Sequence, residues 1–373
     1  MVNFPSLVLL SILSFTRMAL ANSACVAFDI SWNLLAFGFN GKDYNAGTQD
    51  TWTSGNAQDI TTSGRPPFNG ANTTCYLSQY TNAIYVLGAD SSNPSSIYIY
   101  DATAKSWSTQ SVTTGGFDPT NFDAILDHDT NVFYAYSKQD IYALDMGLLK
   151  AANSTPLPWT DVQHPDFATS DYQPVMALAQ NHIHFLNVPG LSNGSARIFV
   201  IHFSYLQPAP QSYGNFPNTY GQATSFFQES GVQQEFAFIP SDGSATYVIN
   251  VETNTTQTLK GPSLTDARAT YFASNTALIQ LSSSGNVSYL LYDPTSASAN
   301  ANAAWNVVSK LPVAVSASSS SSGAGSSKTS SGSGTSATGK ASGSGNGASD
   351  IRVGLVTIAV ATMATLLAMA IGY

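Results

Sequence analysis

The feature that most constrains this chain is a hydrophobic pattern that returns about every 45 to 50 residues. A turn Asn followed by an apolar strand recurs at Asn33-Leu34-Leu35-Ala36-Phe37, Asn82-Ala83-Ile84-Tyr85, Asn131-Val132-Phe133-Tyr134, Asn181-His182-Ile183-His184-Phe185 and Asn275-Thr276-Ala277-Leu278-Ile279. A sixth copy, Glu235-Phe236-Ala237-Phe238, lacks the Asn. Asn suits a tight hairpin because it tolerates left-handed backbone and can close an Asx-turn. A second apolar strand follows in most copies, at Ile97–Asp101, Ile141–Asp145, Ile198–His202, Tyr247–Asn250 and Tyr289–Asp293. A polar outer strand comes next, often with a Trp (Trp107, Trp159, Trp305). Ahead of each hairpin stands another short strand: Val26–Ile30, Cys75–Ser78, Asp123–Leu126, Val175–Ala179, Ala223–Phe227 and Thr270–Ala273.

Helix signals are nearly absent, and Asn, Gly, Ser and Pro punctuate short runs rich in Tyr, Phe, Val and Ile. Four antiparallel strands in each period is the size of a propeller blade. A blade cannot bury both of its faces alone, so consecutive blades cover one another by closing into a ring. The expectation is an all-β fold, a six-bladed β-propeller of four-stranded antiparallel blades over residues 22–312, with blades starting near 25, 75, 122, 172, 219 and 264. A long sandwich, or two sandwiches, is the competing all-β arrangement.

Asn82-Ala83-Ile84-Tyr85-Val86-Leu87-Gly88, followed by Ile97-Tyr98-Ile99-Tyr100-Asp101 and Lys105-Ser106-Trp107, resembles a kelch repeat of the galactose-oxidase-type β-propeller. The segment 122–165 is similar, and elsewhere only the hydrophobic pattern is shared. The glycine pair that kelch units carry after the second strand is missing, with Gly88-Ala89 the nearest approach, and Trp52 of the first segment comes too early. The resemblance implies a propeller. Galactose oxidases bind copper there through Tyr and His ligands and a Cys crosslinked to Tyr, and no Tyr-His pair here matches that motif.

The two ends read as addresses. Residues 1–21 have the form of a secretory signal, with an apolar run Leu7–Leu13 and Ala19-Leu20-Ala21 before the expected cut. Residues 350–373 resemble a signal for attaching a glycosylphosphatidylinositol (GPI) anchor, with Asn346 the expected attachment site. A single-pass membrane helix is the competing reading of the apolar end. Residues 313–349 are Ser, Gly, Ala and Thr almost throughout, too polar to offset their ordering entropy, and are expected to form a disordered stalk. The style of this tail resembles fungal surface glycoproteins.

Charged residues make up 9% of the chain and the net charge is −9, with no Lys/Arg cluster to neutralise phosphates. Nucleic acid is therefore not an expected partner. Sequons at Asn72, Asn153, Asn193, Asn254 and Asn286 are candidate N-glycosylation sites. Cys25 and Cys75 are the chain's only cysteines, and in an oxidising compartment they are expected to form one disulfide. Under the blade parse both open an innermost strand, so the bridge would tie the first blade to the second.

Motifs for chemistry are sparse. His182 and His184 are spaced to share one face of a strand and are the candidate pair for copper or zinc; the competing reading is a pair of hydrogen-bonded strand histidines. Asp127, Asp129 and Asn131 have the opening spacing of a calcium loop, but Val132 and Lys138 stand where Gly and Glu belong, and the same residues fit a hairpin turn. No metal and no cofactor are therefore expected. Glycoside hydrolysis would need two facing carboxylates; Asp29, Asp43, Asp50, Asp59, Asp101, Asp123 and Asp293 are candidates that nothing in the sequence pairs. Tyr44, Trp52, Tyr172, Tyr213, Phe216 and Tyr220 sit in loop-like segments and could present rings to sugars, or pack on the strands beneath. The expected function is an anchored surface binding or adhesion module, acting as a monomer on a glycan or cell-wall ligand. An anchored oxidase or glycosidase and a cell-wall structural protein are the alternatives.

Overall fold

The computed structural model describes residues 23–314. The signal at 1–21, Asn346, the anchor signal and the stalk from residue 315 lie outside the described residues. Strands form where apolar and polar residues alternate, and they stop at turn residues. Blade 1 comprises Cys25–Phe28, Leu34–Phe39, Lys42–Asn45 and Gln58–Asp59. Blade 2 comprises Thr74–Ser78, Ala83–Leu87, Ile97–Asp101 and Ser106–Gln110. Blade 3 is built from Asp123–Asp127, Val132–Ser137, Asp140–Asp145 and Thr160–Gln163, and blade 4 from Val175–Ala179, His182–Leu186, Ser195–Val200 and Tyr205–Leu206. In blade 4, Gln211–Ser212 also pairs with the third strand. Gly221–Ser225, Glu235–Pro240, Ala245–Asn250 and Thr255–Lys260 make blade 5, and Thr270–Ala273, Ala277–Leu281, Val287–Leu291 and Asn306–Val307 make blade 6. The fold is thus an all-β six-bladed propeller of four-stranded antiparallel blades.

The turn Asn takes left-handed backbone at Asn82 (φ 52°), Asn131 (φ 58°) and Asn181 (φ 56°). In blade 1 the left-handed residue is Trp32 (φ 58°) instead, because Asn33 turns its side chain back onto the Asp29 carboxylate. Gly88 (φ 65°) stands where the incoming chain crosses, and a Cβ there would lie 2.5 Å from the Asn72 carbonyl oxygen.

The core is distributed between blades. Six clusters of buried side chains each join the facing surfaces of two neighbouring blades, the last joining blade 6 to blade 1. Trp residues sit in these seams. Trp107 packs on Phe37 and Tyr100 between blades 1 and 2, and Trp159 stacks on Phe117 at 4.0 Å between blades 2 and 3. Trp52 fills the seam between blades 6 and 1, against Phe28 and Tyr289, and its indole N–H donates to the Gly47 carbonyl. Its early position in the sequence has this reason: it serves the closing seam.

Each blade takes its strands in chain order; only Leu157–Pro158, between the third and fourth strands of blade 3, leaves that order to pair in parallel with Val112–Thr113, so among the described residues no strand is exchanged to close the ring. Closure comes from the segment after the last strand. The Lys310 amide donates to the Trp52 carbonyl, the Ala57 amide donates to the Lys310 carbonyl, and the Asn40 side-chain amide donates to the Val313 carbonyl. Val308, Leu311 and Ala314 bury themselves in the same seam, so hydrogen-bonded chain runs through Ala314. Next to it, Cys25 and Cys75 form the expected disulfide, with Cα atoms 5.8 Å apart, tying the innermost strands of blades 1 and 2.

Candidate functional site

The innermost strands surround a central cavity of about 150 Å³. One end is closed by the segment that replaces the hairpin Asn in blade 5. Residues 226–234 form a loop there instead of a tight turn. The Phe227 ring lies against Trp32 of blade 1, His128 of blade 3 and Phe272 of blade 6. A side chain of blade 5 that touches three other blades must lie across the ring's axis. The Phe227 amide donates to the Ser274 carbonyl of blade 6, and the Gln180 amide of blade 4 donates to the Gln233 carbonyl. This loop is a floor, and Phe227 and Gln233 both line the cavity above it.

The opposite end widens into a mouth of about 730 Å³, shaped by the connections entering blades 2 to 6 and by the Tyr136–Gln139 turn of blade 3. Tyr136, Tyr172 and Tyr220 line it, together with the side-chain amides of Asn121, Gln139 and Gln222. Tyr220 remains 37% exposed. The Tyr172 hydroxyl donates to the Leu186 carbonyl, whereas the buried Tyr136 hydroxyl has no partner. Lys138, Asp171 and Arg268 supply the charges of the rim.

Asp123 stands where the mouth narrows into the cavity and lines both. Its carboxylate accepts the Met176 amide at 3.1 Å and the Ala124 amide at 3.0 Å, tying blade 3 to blade 4. Among the described residues no Lys, Arg or His forms an ion pair with it. Burial within the ring raises its carboxyl from an ordinary 3.8 to about 7, against the lowering effect of the two amides. A carboxyl so displaced, in a cleft, is a mark of a functional group.

The other carboxylates considered from the sequence have local partners. Asp29 closes its own turn with Ser31 and Asn33. Asp43, fully buried, holds Arg65 at 2.6 Å, and Asp59 pairs with Lys42 at 2.8 Å. Asp50 accepts from Thr48, while Asp101 and Asp293 accept from the backbone of the turns that follow them. Of the seven, Asp123 alone lines the channel.

The histidine pair is separated by its surroundings. His184 is buried between blades 4 and 5, its Nε2 lies 3.0 Å from the Tyr213 hydroxyl, and burial lowers its pKa to about 3. His182 is bound to the Gln180 carbonyl. The Asp127–Asn131 segment is the hairpin turn of blade 3: the Asp127 carboxylate takes the Thr130 hydroxyl, and the Asn131 amide reaches Tyr85 and Gly147. Among the described residues no group of three or more His, Cys, Asp or Glu side chains is placed to hold a metal ion.

The loop aromatics mostly pack inward. Trp52, Tyr172, Tyr213 and Phe216 are buried, Tyr44 is half-buried against the closing seam, and Tyr220 stays open to solvent. Pro- and Gly-rich flanks gave these segments a loop character, but every ring except Tyr220 packs in a seam between blades. The floor was missed by sequence reasoning; the missing Asn of the blade 5 hairpin was its signal. The five sequon asparagines, Asn72, Asn153, Asn193, Asn254 and Asn286, all sit at exposed positions, with Asn72 on the edge of the mouth.

The fold and the site define a class: a six-bladed propeller with a channel closed at one end and an uncompensated carboxyl at its throat. No protein-family model matches this chain, and no curated protein matches it.

Proposed function

We propose that this chain is an extracellular binding module that takes a saccharide end-on in the mouth of the blind channel. The observation that carries this reading is the lining: phenol rings and side-chain amides around a mouth of about 730 Å³, over a closed floor. That volume lies within the range of small-molecule sites. Amides and hydroxyls match the hydroxyls of a sugar, and the exposed Tyr220 ring offers a face for its apolar side. Charged residues are only 9% of the chain, so polar and aromatic groups supply most of the recognition. We further read the chain as a secreted, N-glycosylated monomer, held on a Ser/Gly stalk by a GPI anchor at Asn346, of fungal type. Blade 2 supports the kelch-like reading, since its strands fall on the residues that carry the resemblance.

The test is a glycan array probed with the purified secreted protein, followed by titration of the best ligand. Tyr220→Ala and Gln222→Ala should each weaken binding about 10-fold, the size expected when a contact of roughly 1–2 kcal/mol is lost. Absence of any glycan ligand, or binding that both variants leave unchanged, would refute the reading.

One observation favours a second reading, an anchored glycosidase. A carboxyl near pKa 7 can serve as a proton donor, and Asp171 adds a second carboxylate at the rim. Hydrolysis of aryl glycosides by the wild type, abolished in Asp123→Asn, would select it.

A further inference from the structure

The throat holds a carboxylate with no counter-ion among the described residues. The Asp123 carboxylate receives two backbone amides and no cation. Below it, Gln233 is 3% exposed, lines the cavity, and has a side-chain oxygen with no partner. Above it, the hydroxyl of Tyr136, 4% exposed, is also without a partner. Buried polar atoms are normally satisfied, so an unpartnered Gln233 oxygen below a carboxylate with no counter-ion points to a missing guest. The cavity of about 150 Å³ is the size at which an engineered apolar cavity accepts a benzene-sized molecule.

Resting on the saccharide reading above, we propose that the throat is a subsite for a protonated primary amine on the ligand, with the Asp123 carboxylate as its counter-ion. An ammonium has three donors and no acceptor, which complements the Asp123 carboxylate and the Gln233 side-chain oxygen. A half-buried carboxylate with no counter-ion is costly, and a cation beside it removes that cost. The ligand class that follows is a saccharide with a free amino group, in preference to its N-acetylated form.

The proton balance is explicit. Below pH 7 the empty site holds a neutral Asp123 carboxyl. When the ammonium enters, the carboxyl gives its proton to solvent and the charged pair remains. The other ionisable groups facing Asp123 do not take that proton. The phenols of Tyr76, Tyr172 and Tyr220 are all raised by burial and stay neutral. Lys138, Asp171 and Arg268 lie at the rim rather than in the inner cavity.

The test compares tetramers of β-1,4-linked glucosamine and of N-acetylglucosamine by calorimetry at pH 6, in two buffers of different ionisation enthalpy. The glucosamine tetramer should bind about 10-fold or more tightly than the acetylated one and release about one proton per site. Asp123→Asn should abolish both the proton release and the preference, read as the ratio of the two tetramers' affinities. Its amide oxygen can still accept the Met176 amide, so the blade contact survives. If the variant does not fold, wild-type proton release decides by itself. Equal affinity for both tetramers, or no proton release, overturns the amine subsite and leaves the saccharide reading standing. Failure of both tetramers to bind overturns the subsite and counts against the saccharide reading with it.

Discussion

Asp123 and His184 pull the stability of this protein in opposite directions as pH changes. Burial raises Asp123 from 3.8 to about 7, so between those values the folded chain binds more protons than the unfolded one. Its contribution is complete below pH 3.8 and is lost as pH rises through 7. Burial lowers His184 from 6.5 to about 3, so the unfolded chain binds the extra proton and stability is lost as pH falls below 6.5. Asp123→Asn removes the first effect alone. The variant should melt above the wild type at pH 8, and its stability should fall more steeply than the wild type's from pH 7 to pH 4. Parallel thermal melts across that range check this; identical pH slopes would show that Asp123 is not held protonated. Both residues stood out in the sequence as candidates, Asp123 as one carboxylate among seven and His184 as half of a metal pair. Their pKa values were not legible there, because burial of a strand residue depends on which blade covers it.

Among the elements, the blade 5 loop is the one that departs from the repeat. Tight a hairpin as the others are, an Asn in left-handed backbone closes three of them. At 226–234 the chain spends extra residues and places Phe227 across the axis. Phe227→Ala should cost roughly 1–3 kcal/mol, within the usual range for loss of a partly buried ring. It should also speed hydrogen exchange at the Gln180 amide, which is held by the same loop. Unchanged exchange there would mean that the loop is anchored without Phe227. Val175–Ala179 and Thr270–Ala273 match the expected inner strands residue for residue, whereas the strand expected at Ala223–Phe227 lies at Gly221–Ser225 and leaves Phe227 in the loop. Strand alternation is a local signal, whereas the path of a loop is set by contacts with distant blades.

For the whole molecule, the decisive contact is the seam where blade 6 meets blade 1. Without an exchanged strand, the ring relies on Trp52, the segment 308–314 and, one blade further on, the Cys25–Cys75 bridge. Replacing both cysteines by Ser should lower stability by about 2–4 kcal/mol, the usual effect of removing a disulfide that closes a loop of this length. Chemical denaturation under otherwise equal conditions measures it, and no change would show that the side-chain seam suffices. The number of blades, their four strands and the pairing of the cysteines were set by the sequence alone, because hydrophobic period and cysteine count are properties of the chain read in order. The blind channel, the burial of Trp52, Tyr213 and Phe216, and the solitary carboxyl at the throat were decided only by tertiary structure. Each of these comes from residues of different blades meeting at one place, and no local pattern records that meeting.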